Sequence, residues 1–95
     1  MFRVVPYLMK FEYYSGKSAT NHDKHGIDFE EAQTHWDDPH LIEAPANVVD
    51  EPRLLAVGMI GTRHWTVIYT YREDRVRIIS VRRARNQELE HYEGS

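Results

Sequence analysis

Three strand-like runs with very short connections leave little freedom in how the second half of this chain folds. Residues 53–60 end at Gly61-Thr62, residues 64–71 end at Arg72-Glu73-Asp74, and residues 75–83 follow at once. The runs are rich in β-branched and aromatic side chains, which suit a pleated, half-buried surface. Parallel strands need a crossover of about a dozen residues or more, so gaps this short call for antiparallel neighbours. The three runs are therefore expected to form a meander.

The first half reads differently. Residues 9–13 alternate like a short strand, broken at Ser15-Gly16. Residues 17–25 are polar with moderate helix propensity, and Gly26 stands where a glycine ends a helix. Residues 27–36 read as a second helix. Asp28 and Glu31 have capping-box spacing, and Phe29, Ala32 and Trp36 share one face. Asp37-Asp38-Pro39 stops it. Residues 40–44 suggest a brief strand ended by Pro45, followed by a loop with a second proline, Pro52. Residues 86–93 read as a closing helix. The order β-α-α-β-β-β-β-α puts two helices before an antiparallel sheet and one after it, which is an α+β fold with helices packed on one face.

A chain of 95 residues is one domain. It has no cysteine, so nothing points to an oxidising compartment or a thiolate metal site. No stretch approaches the roughly 18 apolar residues of a membrane span, and a cytoplasmic location is expected. The formal net charge is −3, which opposes bulk affinity for nucleic acid. The distribution is more informative. Residues 1–50 hold four Lys/Arg against nine Asp/Glu, whereas residues 72–85 hold six arginines against Glu73 and Asp74. A focused positive patch can bind an anion on an acidic protein.

That patch lies on the last strand-like run. Alternation lets a strand hold a row of guanidiniums on one face, and each fork can pair with two phosphate oxygens. A solvated edge strand that uses arginine against aggregation gives the same pattern.

The residues also resemble a known family. Met9-Lys10-Phe11-Glu12, Asn21, Lys24-His25-Gly26-Ile27, Phe29-Glu30-Glu31-Ala32 and Asp38-Pro39 are similar to the first half of the BrnT toxins. Glu51 with Arg53, Gly58, Val67–Thr70, Arg77–Ala84, Glu88 and Tyr92 are similar to the second half. The similarity runs from about residue 9 to 93. Residues 1–8 then read as an N-terminal extension outside the family core, with residues 9–95 a single BrnT-like domain. One departure is Tyr13-Tyr14-Ser15, where the family often has Trp-Asp-Pro. The resemblance implies a RelE-like fold and a type II toxin that cleaves RNA without a metal. It also implies a hetero-oligomer with a BrnA-type antitoxin, through which alone the toxin reaches operator DNA.

Metal-independent cleavage must deprotonate the 2′-hydroxyl, stabilise the phosphorane and protonate the leaving 5′-oxygen. Arg82 and Arg83, at the strand end, are the expected phosphate-stabilising residues. Alternation places them on opposite faces unless a bulge re-aims one. An ion pair of Arg82 with Glu88 or Glu51 is the structural alternative. His25 is the expected proton shuttle and Glu51 a general base. A buried packing histidine and a local surface pair are their plain counterparts. Lys24, Arg53, Arg77, Ser80 and Tyr69 are expected to bind RNA. For Lys24 a favourable helix dipole, and for Tyr69 core packing, would suffice.

No cofactor is expected. His22, Asp23 and His25 have no second cluster at zinc-ligand spacing, and Glu31 with His35 is a surface pair rather than half a metal site. Ser80 lacks nucleophile-elbow glycines, and no glycine-rich phosphate loop occurs. A non-catalytic relative that keeps only the antitoxin contact is the alternative. A DNA-binding regulator is disfavoured because no helix carries a basic face.

Overall fold

The computed structural model describes residues 10–46 and 52–94. The expected extension over residues 1–8 and the candidate base Glu51 lie outside the described residues. The elements are β1 (Lys10–Glu12), α1 (Ser15–His25), α2 (Phe29–Ala32) running into a 3₁₀ segment (Gln33–Asp37), β2 (Ile42–Ala46), β3 (Arg53–Ile60), β4 (Arg63–Arg72), β5 (Arg75–Arg83) and α3 (Asn86–Gly94).

The mixed α+β class follows from one five-stranded sheet in the order β1-β5-β4-β3-β2. β3, β4 and β5 form the antiparallel meander, with β2 antiparallel on its outer side. The sheet is not antiparallel throughout, which corrects the sequence expectation. β1 runs parallel to β5, with Phe11 opposite Val76 and Glu12 opposite Arg77. About two thirds of the chain separates these two strands, so no short connection imposes a direction. The gain is burial: the Phe11 ring packs 5.2 Å from the Trp36 ring. Pro45 does not end β2 but sits within it. An edge strand tolerates proline because one side of its backbone needs no ladder partner.

The helices start and stop for local reasons. Gly26 takes φ 78°, and its N–H donates to the His22 carbonyl at 2.8 Å, closing α1. At α2 the Asp28 carboxylate accepts from the Glu31 N–H at 2.8 Å, while the Glu31 carboxylate accepts from the Asp28 N–H at 3.2 Å. The expected single helix over 27–36 instead tightens after Ala32. The tighter winding turns two consecutive residues, His35 and Trp36, into the interior. His35 is fully buried, and its Nε2 lies 2.8 Å from the Ala56 carbonyl oxygen. Burial holds its pKa down at about 4 against that hydrogen bond, so at neutral pH the ring is uncharged and donates from Nε2.

Phe29, Ala32 and Trp36 meet Ala56, Val67, Tyr69, Val76, Ile78 and Val81 in the core. The Trp36 ring stands edge-on to Tyr69 at 5.2 Å. Gly58 is required by packing: a Cβ there would come within 2.7 Å of Leu41 Cδ1 and 3.1 Å of Asp38 Oδ2.

Two buried or half-buried side chains plug the sheet margins. Beyond the end of β1, the Val81 N–H donates to Asn21 Oδ1 at 3.1 Å, and Asn21 Nδ2 donates to the Ile27 carbonyl at 2.9 Å. Beyond the end of β2, the Met59 N–H donates to Asp38 Oδ2 at 2.8 Å. Each plug satisfies a backbone donor that would otherwise be buried or left as an open edge. Asp38 also accepts from the Tyr92 hydroxyl at 2.7 Å, which ties α3 to the 3₁₀ corner. Burial raises the Asp38 pKa, but bonds from Tyr92, Met59 N–H and His40 N–H outweigh it and leave the carboxyl below its ordinary value. Burial, then the same contact, pushes the Tyr92 hydroxyl up to about 12.

Candidate nucleic-acid interface

β5 decides which arginines share a face. Ile68 pairs with Ser80 and Tyr69 with Ile78, so Ile79 is an extra residue, a β-bulge. The bulge shifts alternation by one. Val76, Ile78 and Val81 are all buried on the side of α1 and α2, which puts Arg75, Arg77, Ser80 and Arg82 on the opposite face, where α3 packs, so the expectation that the helices share one face is corrected. Arg83 returns to the side of α1 and α2, 5.6 Å above the Trp65 ring.

Arg82 and Arg83 therefore do not converge. Arg82 is also paired, with Glu88 of α3. Its two terminal nitrogens each donate to a different Glu88 oxygen at 2.8 Å, with side chains only 21% and 15% exposed. Glu88 Oε1 further accepts from Thr66 Oγ1 and from the Arg85 N–H, both at 2.8 Å. The last contact is one half of a capping box, because Glu88 is the third residue of α3 and Arg85 precedes the helix. Arg82, then these other donors, hold the Glu88 pKa at about 2 against burial. The pair anchors α3 to the sheet.

The open end of the same face is different. A groove of about 600 Å³ is lined by Tyr14, Lys17, Arg53, Arg72 and Arg77, with Thr70, Ile79 and neighbouring backbone completing the wall. Among the described residues four cations and no carboxylate line it, on a protein of net charge −3. Glu12, on β1, holds Arg77 from the side: its Oε2 accepts from Arg77 Nε at 2.7 Å and lies 2.5 Å from Nη2. Arg77 Nη1 donates to the Tyr14 hydroxyl at 3.3 Å. A guanidinium has five N–H donors, so two remain for an incoming phosphate. The Glu12 contact raises the Arg77 pKa, and the charge is permanent at any working pH.

A shallower depression of about 290 Å³ adjoins the groove and shares Lys17 and Ile79 with it. Its wall includes Lys24, His25 and Ser80. His25 is exposed and not a packing histidine. The fold thus brings Arg53 and Arg77 into one groove and Lys24, His25 and Ser80 into the next, with Lys17 between. Tyr69 belongs to neither, which corrects its expected RNA contact. It is fully buried, and its hydroxyl donates to the Glu43 carboxylate. Burial, then that contact, raises its pKa. A tyrosine at the centre of β4 faces the side of α1 and α2 by alternation and cannot reach a ligand.

Reading the sequence passed over Glu12, Tyr14, Lys17 and Arg72. Arg72 looked like a turn residue and Lys17 like the start of a polar helix. The alternation of Phe11 inward and Glu12 outward was the available signal for Glu12.

No helix among the described residues is long and apolar enough to cross a membrane. A comparison with curated proteins returns no match. The family model of BrnT, the ribonuclease toxin of a type II toxin–antitoxin system, matches residues 13–88. That span covers the α1 edge plug, the 3₁₀ corner, the meander and the Arg82–Glu88 anchor, and the chain belongs to the BrnT family.

Proposed function

We propose that this protein is a metal-independent endoribonuclease with a RelE-like fold, and that single-stranded RNA lies along the open face of the sheet. One observation carries the reading: four cations line one groove on an otherwise acidic chain. Charge alone would be satisfied by a scattered surface; concentration in a groove is what focuses a field on an anion. Arg77, preset by Glu12, offers its remaining fork to the scissile phosphate and stabilises the charge that grows on the phosphorane. Arg53, Arg72 and Lys17 hold flanking phosphates. His25, beside Lys24 and Ser80 in the adjoining depression, moves the proton to the leaving 5′-oxygen. The 2′-oxygen attacks phosphorus, its proton passes to a base, and the product carries a 2′,3′-cyclic phosphate. Glu51 and Glu12 are the candidate bases. Arg82 and Arg83 act through structure, Arg82 by holding α3. The partner is a BrnA-type antitoxin, hetero-oligomeric with the toxin in the cytoplasm, and operator DNA is reached only through it.

The test is a purified-protein assay on a single-stranded RNA in excess EDTA. Cleavage to cyclic-phosphate ends is expected. Arg77→Lys keeps a cation beside Glu12 but loses the fork, and should lower the rate about 100-fold or more with the fold intact. Intact RNA, or cleavage only with a divalent ion, would overturn the proposal. The locked Arg82 and averted Arg83 favour a second reading, a non-catalytic module that only binds antitoxin. Intact RNA together with antitoxin binding would select it.

A further inference from the structure

Tyr14 stands at the N-cap of α1, yet its side chain makes no capping bond there. Ser, Thr, Asp or Asn at that place would satisfy a free helix N–H. The position forgoes that contact and presents instead a tyrosine that is 58% exposed. An exposed tyrosine alone needs no explanation. This one lies in a particular setting. Lys17 Nζ is 5.7 Å and the Arg77 guanidinium 5.1 Å from its ring centroid. Among the described residues two large apolar side chains are strongly exposed, Tyr14 and Tyr71; Tyr71 shares the face of Tyr69, 5.7 Å from its ring, so Tyr14 is the exposed ring set beside Lys17 and Arg77. Aromatic surface is thus left open where phosphate-binding charge is concentrated. Single-strand-binding surfaces combine those two features, because every base has a π-face and every linkage a charge.

We propose that Tyr14 is a nucleobase platform: an unpaired base of single-stranded RNA stacks on its ring while Lys17 and Arg77 hold the adjoining phosphates. The proposal rests on the RNA-cleaving reading and adds to it a base-contacting residue. Stacking tolerates all four bases, so it confers a preference for unpaired over duplex RNA rather than for a sequence.

The test separates base from phosphate and binding from cleavage. The probe is a fluorescent 2′-O-methyl oligoribonucleotide, which lacks the attacking hydroxyl, and a second probe carries the same backbone without bases. Anisotropy is measured on the full chain with Tyr14→Phe, Tyr14→Leu and Tyr14→Ser. Ser can cap α1, so that variant puts folding at little risk. The based probe should bind Tyr14→Ser and Tyr14→Leu between about fivefold and a hundredfold more weakly than wild type. Tyr14→Phe should stay within about twofold, because the ring is kept. The abasic probe should bind all four proteins alike. Unchanged affinity of Tyr14→Ser for the based probe overturns the platform and assigns the exposed ring to a protein contact. An equal loss on the abasic probe also overturns it, since the defect then lies in phosphate binding. Failure of the wild type to bind either probe removes the function and the platform together. Wild-type binding and cleavage with an unaffected Tyr14→Ser removes the platform alone.

Discussion

Replacing Glu88 by glutamine keeps the shape of the side chain and removes the charge that four donors share. Those donors are two Arg82 nitrogens, Thr66 Oγ1 and the Arg85 N–H, each at 2.8 Å. Hydrogen bonds to a charged group are worth about 1.5–3 kcal/mol each, and partial exposure screens them. Glutamine can still accept from Thr66 or Arg85 with its one carbonyl oxygen, so the main loss is the guanidinium pair. Arg82, only 21% exposed, is left with an uncompensated charge. The expected cost is about 2–3 kcal/mol, or a Tm lowered by about 10–20 °C in a domain of this size. Arg82→Met should cost a similar amount. The double variant should cost less than the two singles together, with a coupling of about 1–2 kcal/mol, because no charge then remains unpaired. Urea unfolding read from the buried Trp36 and Trp65 measures all four corners of the cycle. The pH dependence supplies an internal check. The folded Glu88 pKa is about 2 against an ordinary 4.5, so its contribution is full above pH 4.5 and is lost as pH falls through about 2. The gap between wild type and Glu88→Gln should close over that window. Strict additivity at pH 7, or a gap that ignores pH, would refute the anchoring role.

Two further outcomes are expected. Gly58→Ala places a methyl within 2.7 Å of Leu41 Cδ1 and should destabilise by about 1–3 kcal/mol; calorimetry reads this, and an unchanged Tm would show that the 3₁₀ corner yields. Between pH 6.5 and about 4 the unfolded chain takes up a proton that buried His35 refuses. Stability should therefore fall with pH across that window. In His35→Gln, whose amide can still reach the Ala56 carbonyl, this limb should flatten, as urea unfolding at several pH values would show.

The strand boundaries at Arg53–Ile60 and Arg75–Arg83, the capping box at Asp28 and Glu31, and the helix stop at Gly26 were legible because each rests on contacts within a few residues. So was the buried face of Phe29, Ala32 and Trp36, since a period of 3.6 needs no knowledge of the partner. The Arg82–Glu88 pair was foreseen as a structural alternative because six residues and one turn separate the two. Arg77 was named without its partner: Glu12 is 65 positions away and reaches it only through the parallel pairing of β1 with β5.

Local chemistry therefore determined the elements, the class of fold and the family, because turns, caps and hydrophobic periodicity act over a few residues. The tertiary structure alone decided which guanidiniums face an anion. One extra residue in a strand, Ile79, shifts every later side chain by one position, and no local propensity encodes that shift. It left Arg77, which precedes it, on the groove, gave Arg82 to α3 and turned Arg83 onto Trp65.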